Sequence, residues 1–206
     1  MVRCKFPAHR ADAPIAAFDR GLDMVIIGGI INGLSQSIMA GKNYKTYDDL
    51  RGATLGANSL TAGTAFAFRR VLKAKGLEYP ARLQVDQRRW HATGAGGVSL
   101  GPDCGGAASL PVNFVAEEQG FNTIGRFIDV IPHYQPRSTP CFGHGRKNRA
   151  VVVRFMKSVA LAARWIYANK EAATDLLAKE MGLKREYARK GWEFYTEKDC
   201  GVRWAT

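Results

Sequence analysis

DLRGATLGANSLTAGTAFAFRRVLKAKGL, from Asp49 to Leu77, is the stretch whose reading decides the fold. It reads as strand, loop and helix. Thr54 to Ala57 is a short apolar run behind the Arg51-Gly52 turn, and Asn58, Ser59, Leu60, Thr61, Ala62 and Gly63 form a small polar connection after it. Phe66, Val71 and Leu72 give the following segment an apolar side, while Arg69, Arg70, Lys73 and Lys75 populate its polar side and last turn. Cations there suit a helix C-terminus, and Gly76 supplies the stop. A strand that feeds a helix through Ser, Thr and Gly leaves backbone N–H groups free above the helix start. Such a place suits a carboxylate, sulfonate or phosphate. The same residues serve more often as plain N-caps, and the loop holds neither G-x-x-x-x-G-K-[ST] nor G-x-G-x-x-G. Spacing alone therefore gives a candidate anion site and no reaction.

Outward from that stretch, strands and helices alternate. Met24 to Ile31 reads as a buried strand ending at Gly28-Gly29, too short to span a bilayer. Asp48, Asp49 and Leu50 form a helical turn before the strand at Thr54, and Ala81 to Val85 is a strand beside it. Pro111 through Gln119 has helical composition, with Pro at the start and Gly120 as the stop. Asn122 to Phe127 is a strand. Asn148 to Ala168 is a helix, because Val152, Phe155, Val159, Ala162 and Ile166 recur at steps of three and four. Lys170 to Met181 and Lys184 to Tyr195 make two more helices, separated by Gly182. The fold class is α/β, with a mostly parallel sheet from about Thr46 to Phe127 flanked by helices.

Charge and cysteines restrict the function. The formal charge of +12 and pI near 9.8 invite a nucleic-acid reading, but the cations are scattered, with no dense Lys/Arg tract and no aromatic-basic stacking motif. No nucleic-acid partner is expected. Cys4, Cys104, Cys141 and Cys200 form no C-x-x-C pair and have no His at ligand spacing, so no metal is expected. Cys141 and His144 make a weak nucleophile and base pair without an orienting group. Trp165 and Tyr167 read as packing aromatics, and Glu117 and Glu118 as a solvated helix face.

Four blocks, in order, carry a resemblance. DLRGATLGANSLTAGTAFAFRRVL resembles the second-lobe entry of solute-binding proteins of ABC importers, in the SsuA/TauA/ThiY-like group that includes NMT1/THI5-like proteins. GLDMVIIGGIINGLSQSIMAGKNYKTYDDL is similar to the strand leaving the first lobe and the crossing segment. SLPVNFVAEEQGFNTIGRFIDVIPHYQ resembles the block of ligand-side loop, helix and strand, and NRAVVVRFMKSVALAARWIYANKEAATDLLAKEMGLKREYARKGWEFY the C-terminal helices. The resemblance implies a periplasmic-binding-protein type II-like fold, with one largely parallel-sheet lobe plus C-terminal helices of an incomplete first lobe. It divides the chain into 1–40, remnant of the first lobe and crossover; 41–135, the second lobe; and 136–206, the return crossover and helices packing on the first lobe. It implies binding of a small anionic or nitrogen/sulfur-containing solute, without chemistry and without a cofactor. The ligand side would be Asn58, Ser59, Leu60, Thr61, Gly63, Thr64, Leu110, Pro111 and Asn113, with His133 and Tyr134 near the second crossover. Permease subunits are the implied partners, the chain a monomer, and the periplasm its place.

Departures from the pattern set further expectations. MVRCKFPAHRADAPIAAFDRG does not resemble the family's opening strand and helix and has no continuous apolar signal region, so most of the first lobe is expected to be missing and ligand binding weak. QRRWHATGAGGVSLGPDCGGAA stands where the family has a helix and a buried strand, and PRSTPCFGHGRK where a strand leads into a helix. Both read as aberrant, translated in a shifted frame. Two other classes stay open: an enzyme related to the THI5-like pyrimidine synthases, and a basic nucleic-acid-binding module.

Overall fold

The computed structural model describes residues 9–10, 12–56, 63–78, 84–86, 91–93, 97–99, 105–143 and 147–197, with the side chains of 9, 63–64, 84–86, 91–93 and 97–99 left aside. Its strands are β1 (His9–Arg10), β2 (Met24–Ile31), β3 (Gln36–Ala40), β4 (Thr54–Gly56), β5 (Gln84–Asp86), β6 (His91–Thr93), β7 (Gly97–Ser99), β8 (Gly105–Ser109), β9 (Asn122–Arg126) and β10 (Arg137–Phe142). Its helices are α1 (Asp12–Asp19), α2 (Gly63–Ala74), α3 (Val112–Glu118), α4 (Arg149–Ala168), α5 (Lys170–Met181) and α6 (Arg185–Glu197).

A five-stranded sheet in the order β5-β4-β8-β3-β9 forms the larger body. β4 runs parallel to β5 and β8, whereas β3 is antiparallel to both β8 and β9. β3 alone therefore runs against the rest, and the sheet is largely parallel. It takes β3 from inside the 1–40 segment. Helices cover both faces, as such sheets require. On one face, Ala67, Phe68, Val71 and Leu72 of α2 pack with Leu34, Ile38, Ala40, Leu50, Leu55, Phe127 and Ile131. On the other, Ala116 of α3 packs with Met39 and Ala108. The alternation along β3 explains the split: Ile38 and Ala40 face α2, Met39 faces α3.

The decisive stretch folds close to its reading. The 46–50 turn is tied by the Asp49 carboxylate, whose Oδ2 accepts from the Lys45 and Thr46 backbone N–H groups at 2.8 Å each. Those bonds hold the carboxyl below its ordinary pKa. α2 ends where expected: Gly76 has φ +75°, its N–H donates to Lys73 O, and the Leu77 N–H reaches Leu72 O. One side chain differs. Phe66 is 64% exposed, and Phe68 fills the core place assigned to it.

The glycine-rich stretch corrects its expectation. Gly105 to Ser109 supplies a strand, β8, between β4 and β3, with Gly105, Gly106 and Ala108 buried. Small side chains allow it: a Cβ on Gly105 would lie 2.8 Å from both Met39 O and Leu55 Cδ2. Where the resemblance implied a helix, His91–Thr93 pairs antiparallel with Gly97–Ser99. The second aberrant stretch also holds a strand, β10, whose residues Ser138 to Cys141 are buried and which leads on to α4. The Cys141 side chain is closed off, and His144, Cys4, Cys104 and Cys200 lie outside the described residues.

The smaller sheet has the order β1-β10-β2, antiparallel throughout. Contrary to the buried-strand expectation, β2 has one partner among the described strands, and only Met24 is buried along it. α4 runs over Arg149–Ala168 as its period predicted, yet none of its side chains is buried. Leu161 is 64% exposed, because the apolar period marks a face without supplying what packs on it. Among the described residues, no helix is long and apolar enough to cross a membrane.

α5 and α6 are tied by ions. Arg185 bonds both Asp175 and Glu171, and Lys170 Nζ donates to Glu193 at 2.7 Å. The Arg185 hydrogen bond lowers the Glu171 pKa. A carboxylate depressed in the folded state stabilises above its unfolded value and loses that contribution as pH falls through the folded value. Glu171→Gln should therefore lower the melting temperature at neutral pH, with the gap from the parent closing as the pH drops below the ordinary value of 4.5. Thermal melts of both proteins against pH check this, and a gap that widens in acid would contradict it.

Candidate functional site

Parallel strands deliver their following loops to one edge, and that edge is where open α/β sheets take ligands. Here β4 ends at Gly56 opposite Gly106 of its parallel neighbour β8, which ends at Ser109. The loop after β4 and the loop after β8 therefore leave the same edge. The first loop leads into α2 at Gly63, and the second is Leu110-Pro111 leading into α3. Among the predicted ligand residues, Asn58, Ser59, Leu60 and Thr61 lie outside the described residues. Gly63 and Thr64 form the first positions of α2.

The electrostatics of that start favour an anion. The first turn of α2 carries no acidic residue, and its last turn carries Lys73. Nothing on the helix thus neutralises the partial positive charge of its leading N–H groups.

The sheet separates the remaining candidates. Leu110 is held by its N–H donating to Ser35 O at 3.2 Å, and it is 7% exposed. Leu110 and Pro111 line an apolar groove of about 540 Å³ whose other walls are Ile30 and Ile31 of β2 and side chains of α4, α5 and α6. α6 reaches Pro111 through Gly191, where a Cβ would lie 3.3 Å from the Pro111 Cβ. Trp165 and Tyr167 line the same groove, and Trp192 Nε1 donates to Ile166 O at 2.9 Å. Asn113 sits on α3, on the face away from α2; it is 4% exposed, and its Oδ1 has no hydrogen-bond partner. Tyr134 packs at the margin of the α2 core, where burial first and Asp12 second raise its hydroxyl pKa, and His133 is exposed. Glu118 pairs with Lys184 and Glu117 accepts from Thr123 Oγ1 at 2.6 Å, so that helix face is paired as well as solvated.

Two polar residues at this edge escaped the sequence reading. Gln36 opens β3 directly opposite Ser109, and Gln36 Nε2 reaches Ser109 Oγ at 3.5 Å. The signal for them is the strand register, which no local period reveals. Among the described residues, no cluster of His, Cys, Asp and Glu is placed to hold a metal ion.

Solved structures share the fold. The aliphatic sulphonate-binding protein SsuA from Escherichia coli superposes at TM-score 0.67 and 22% identity, covering 93% of this chain and 64% of its own. The alkanesulfonate-binding protein SsuA from Xanthomonas axonopodis pv. citri, solved bound to MOPS, gives 0.69 and 12% over 95% of this chain and 76% of its own. The Candida albicans protein CA3427, which has the generic periplasmic binding protein fold, gives 0.62 and 11% over 93% and 62%. The chain has the periplasmic-binding-protein fold. It spans about two-thirds of the length of these relatives in fold, and at such identities the likeness is one of architecture. No family model matches the sequence, and no curated protein matches it. Within the periplasmic-binding-protein fold, the five-stranded sheet with α2 on one face and α3 on the other forms one α/β layer set. The β1-β10-β2 sheet and α4 lie across the groove, while α6 packs on α3, with Tyr187 stacked on Phe114 and Lys184 paired with Glu118.

Proposed function

We propose that this chain is a solute-binding component of an ABC importer, for a small organic anion of the sulfonate, taurine or pyrimidine-precursor type. The observation that carries this reading is the start of α2, with no acidic residue in its first turn, following β4 at the carboxyl edge of a largely parallel sheet. The backbone N–H groups of that start, with Ser59, Thr61 and Thr64, hold the anionic head, and Leu110 and Pro111 bound the apolar side. Binding proceeds without covalent chemistry. Closure of a second lobe over the solute presents the loaded form to membrane permease subunits, with the protein acting as a monomer in the periplasm. The known architectures of SsuA-type sulfonate binders support this reading.

Gly63→Asp tests it cleanly. An acidic residue in a first helical turn favours the helix, so the variant should melt no lower than the parent. The same charge repels an anion above the helix start. Titration of the parent with taurine and ethanesulfonate, followed by amide chemical shifts, should give a Kd in the millimolar range, roughly −4 kcal/mol. Gly63→Asp should weaken it at least about tenfold. Equal affinity in both proteins would remove the anion site from α2.

A further inference from the structure

We propose that α4 docks the protein on an anionic lipid surface, with its exposed face centred on Leu161 lying in the headgroup layer. The inference goes beyond solute binding and stands without it. The helix period defines the face. Arg154, Lys157, Leu161, Arg164 and Ala168 follow at steps of three and four, with Val153 and Trp165 beside them, and all seven are exposed. Leu161 is 64% exposed, and Trp165, which also lines the groove, is 43% exposed. The opposite side of the helix is the one that packs. Met156 reaches Gly28 of β2, where a Cβ would lie 2.5 Å from its Cε, and Ala163 and Tyr167 line the groove.

Charge determines what this face fits. α4 holds Arg149, Arg154, Lys157 and Arg164 and has no Asp or Glu in its 20 residues. None of the four cations is paired with a carboxylate among the described residues. On α5, which adjoins α4, Glu171 and Asp175 are bound by Arg185, and Glu180 lines the groove. A helix face meant only for water balances its cations with acids one turn away; here the positive field is left for a partner. A nucleic acid would meet the cations, but Leu161, set between Lys157 and Arg164, would gain nothing from phosphates. A headgroup layer meets both kinds of side chain. Lipid phosphates take the guanidinium and ammonium tips, while Val153, Leu161 and Trp165 enter the boundary with the acyl chains, a depth that suits an indole. The helix lies flat there and does not cross, since no described helix is apolar enough to span a bilayer. Held this way, a solute-binding protein would search for permease subunits in two dimensions.

Sedimentation of the full chain with phosphatidylcholine vesicles, with and without about 30% phosphatidylglycerol, tests this at low salt. The protein should be retained by the anionic vesicles and released as salt is raised. Each cation on the face should contribute about fivefold to partitioning, so Lys157→Glu combined with Arg164→Glu should lower it by more than about twentyfold. Leu161→Gln keeps every charge and should lower it about fivefold. All three positions are exposed, so both variants should melt close to the parent, and near-ultraviolet circular dichroism confirms their fold. No retention of the parent, equal retention on pure phosphatidylcholine, or retention unchanged in the charge variant would overturn the proposal. If duplex DNA or polyglutamate holds the parent as well as the vesicles do and Leu161→Gln weakens none of them, the face is a general polyanion site and the lipid assignment fails.

Discussion

Phe68→Ala is expected to lower the free energy of unfolding by about 3–5 kcal/mol. Phe68 is 1% exposed and stacks on Phe127, with ring centroids 5.8 Å apart and planes 6° from parallel. The pair bridges α2 to the turn that follows β9, and both rings belong to the cluster that includes Ile38, Leu50 and Leu55. Removing one ring forfeits its transfer free energy. It also leaves a cavity that β3 and β4 cannot collapse into, because sheet hydrogen bonds fix them. The stacking contributes about 0.5–1.5 kcal/mol beyond area. Phe66 provides the contrast. It lies on the same helix and is 64% exposed, so Phe66→Ala should change stability by no more than about 0.5 kcal/mol. Urea unfolding followed by far-ultraviolet circular dichroism measures both. Comparable losses for the two variants would mean that α2 presents a different face to the sheet.

That contrast shows where the sequence was readable. The strand-loop-helix order, the Gly76 stop, the α3 and β9 block and the C-terminal helices all follow from local signals: apolar period, cations at a helix end, glycine at a positive φ. Phe66 is the exception on α2, since Phe68, Val71 and Leu72 stand at i, i+3 and i+4 and Phe66 falls outside that stripe. α4 marks a different boundary. Its period identified the helix, but burial depends on what lies against it, and the period carries no information on that. The same holds for β2, whose apolar run gives a strand in either environment, buried or at an edge. At the site, the α2 start was legible because helix N-termini have a composition. Gln36 and Ser109 were not, because a polar residue at a strand end acquires meaning only from the residue paired across from it.

Gly105→Ala sets two local rules against each other, and their sizes decide the outcome. Glycine is disfavoured inside strands, and the measured range of β-propensity is about 1 kcal/mol. On that ground alone alanine would stabilise β8, and the same ground made GGAAS look unlike a strand. The packing opposes it. The added Cβ would sit 2.8 Å from Met39 O, a backbone atom of the neighbouring strand, and 2.8 Å from Leu55 Cδ2, with Ala40 Cβ at 3.3 Å. Leu55 can rotate away only into a site where it is fully buried, and Met39 O cannot move without displacing β3. Overpacking of this kind costs about 1–3 kcal/mol, so the net effect is a loss of stability despite the better strand residue. The strain falls between strands that reach the binding edge. Shifting β8 against β3 draws Leu110 N from Ser35 O and moves the Leu110-Pro111 loop, so Gly105→Ala should also weaken taurine binding. Chemical denaturation and the sulfonate titration on one sample read both effects. A variant as stable as the parent, with its taurine affinity unchanged, would show that β8 is not clasped as closely as its glycines imply.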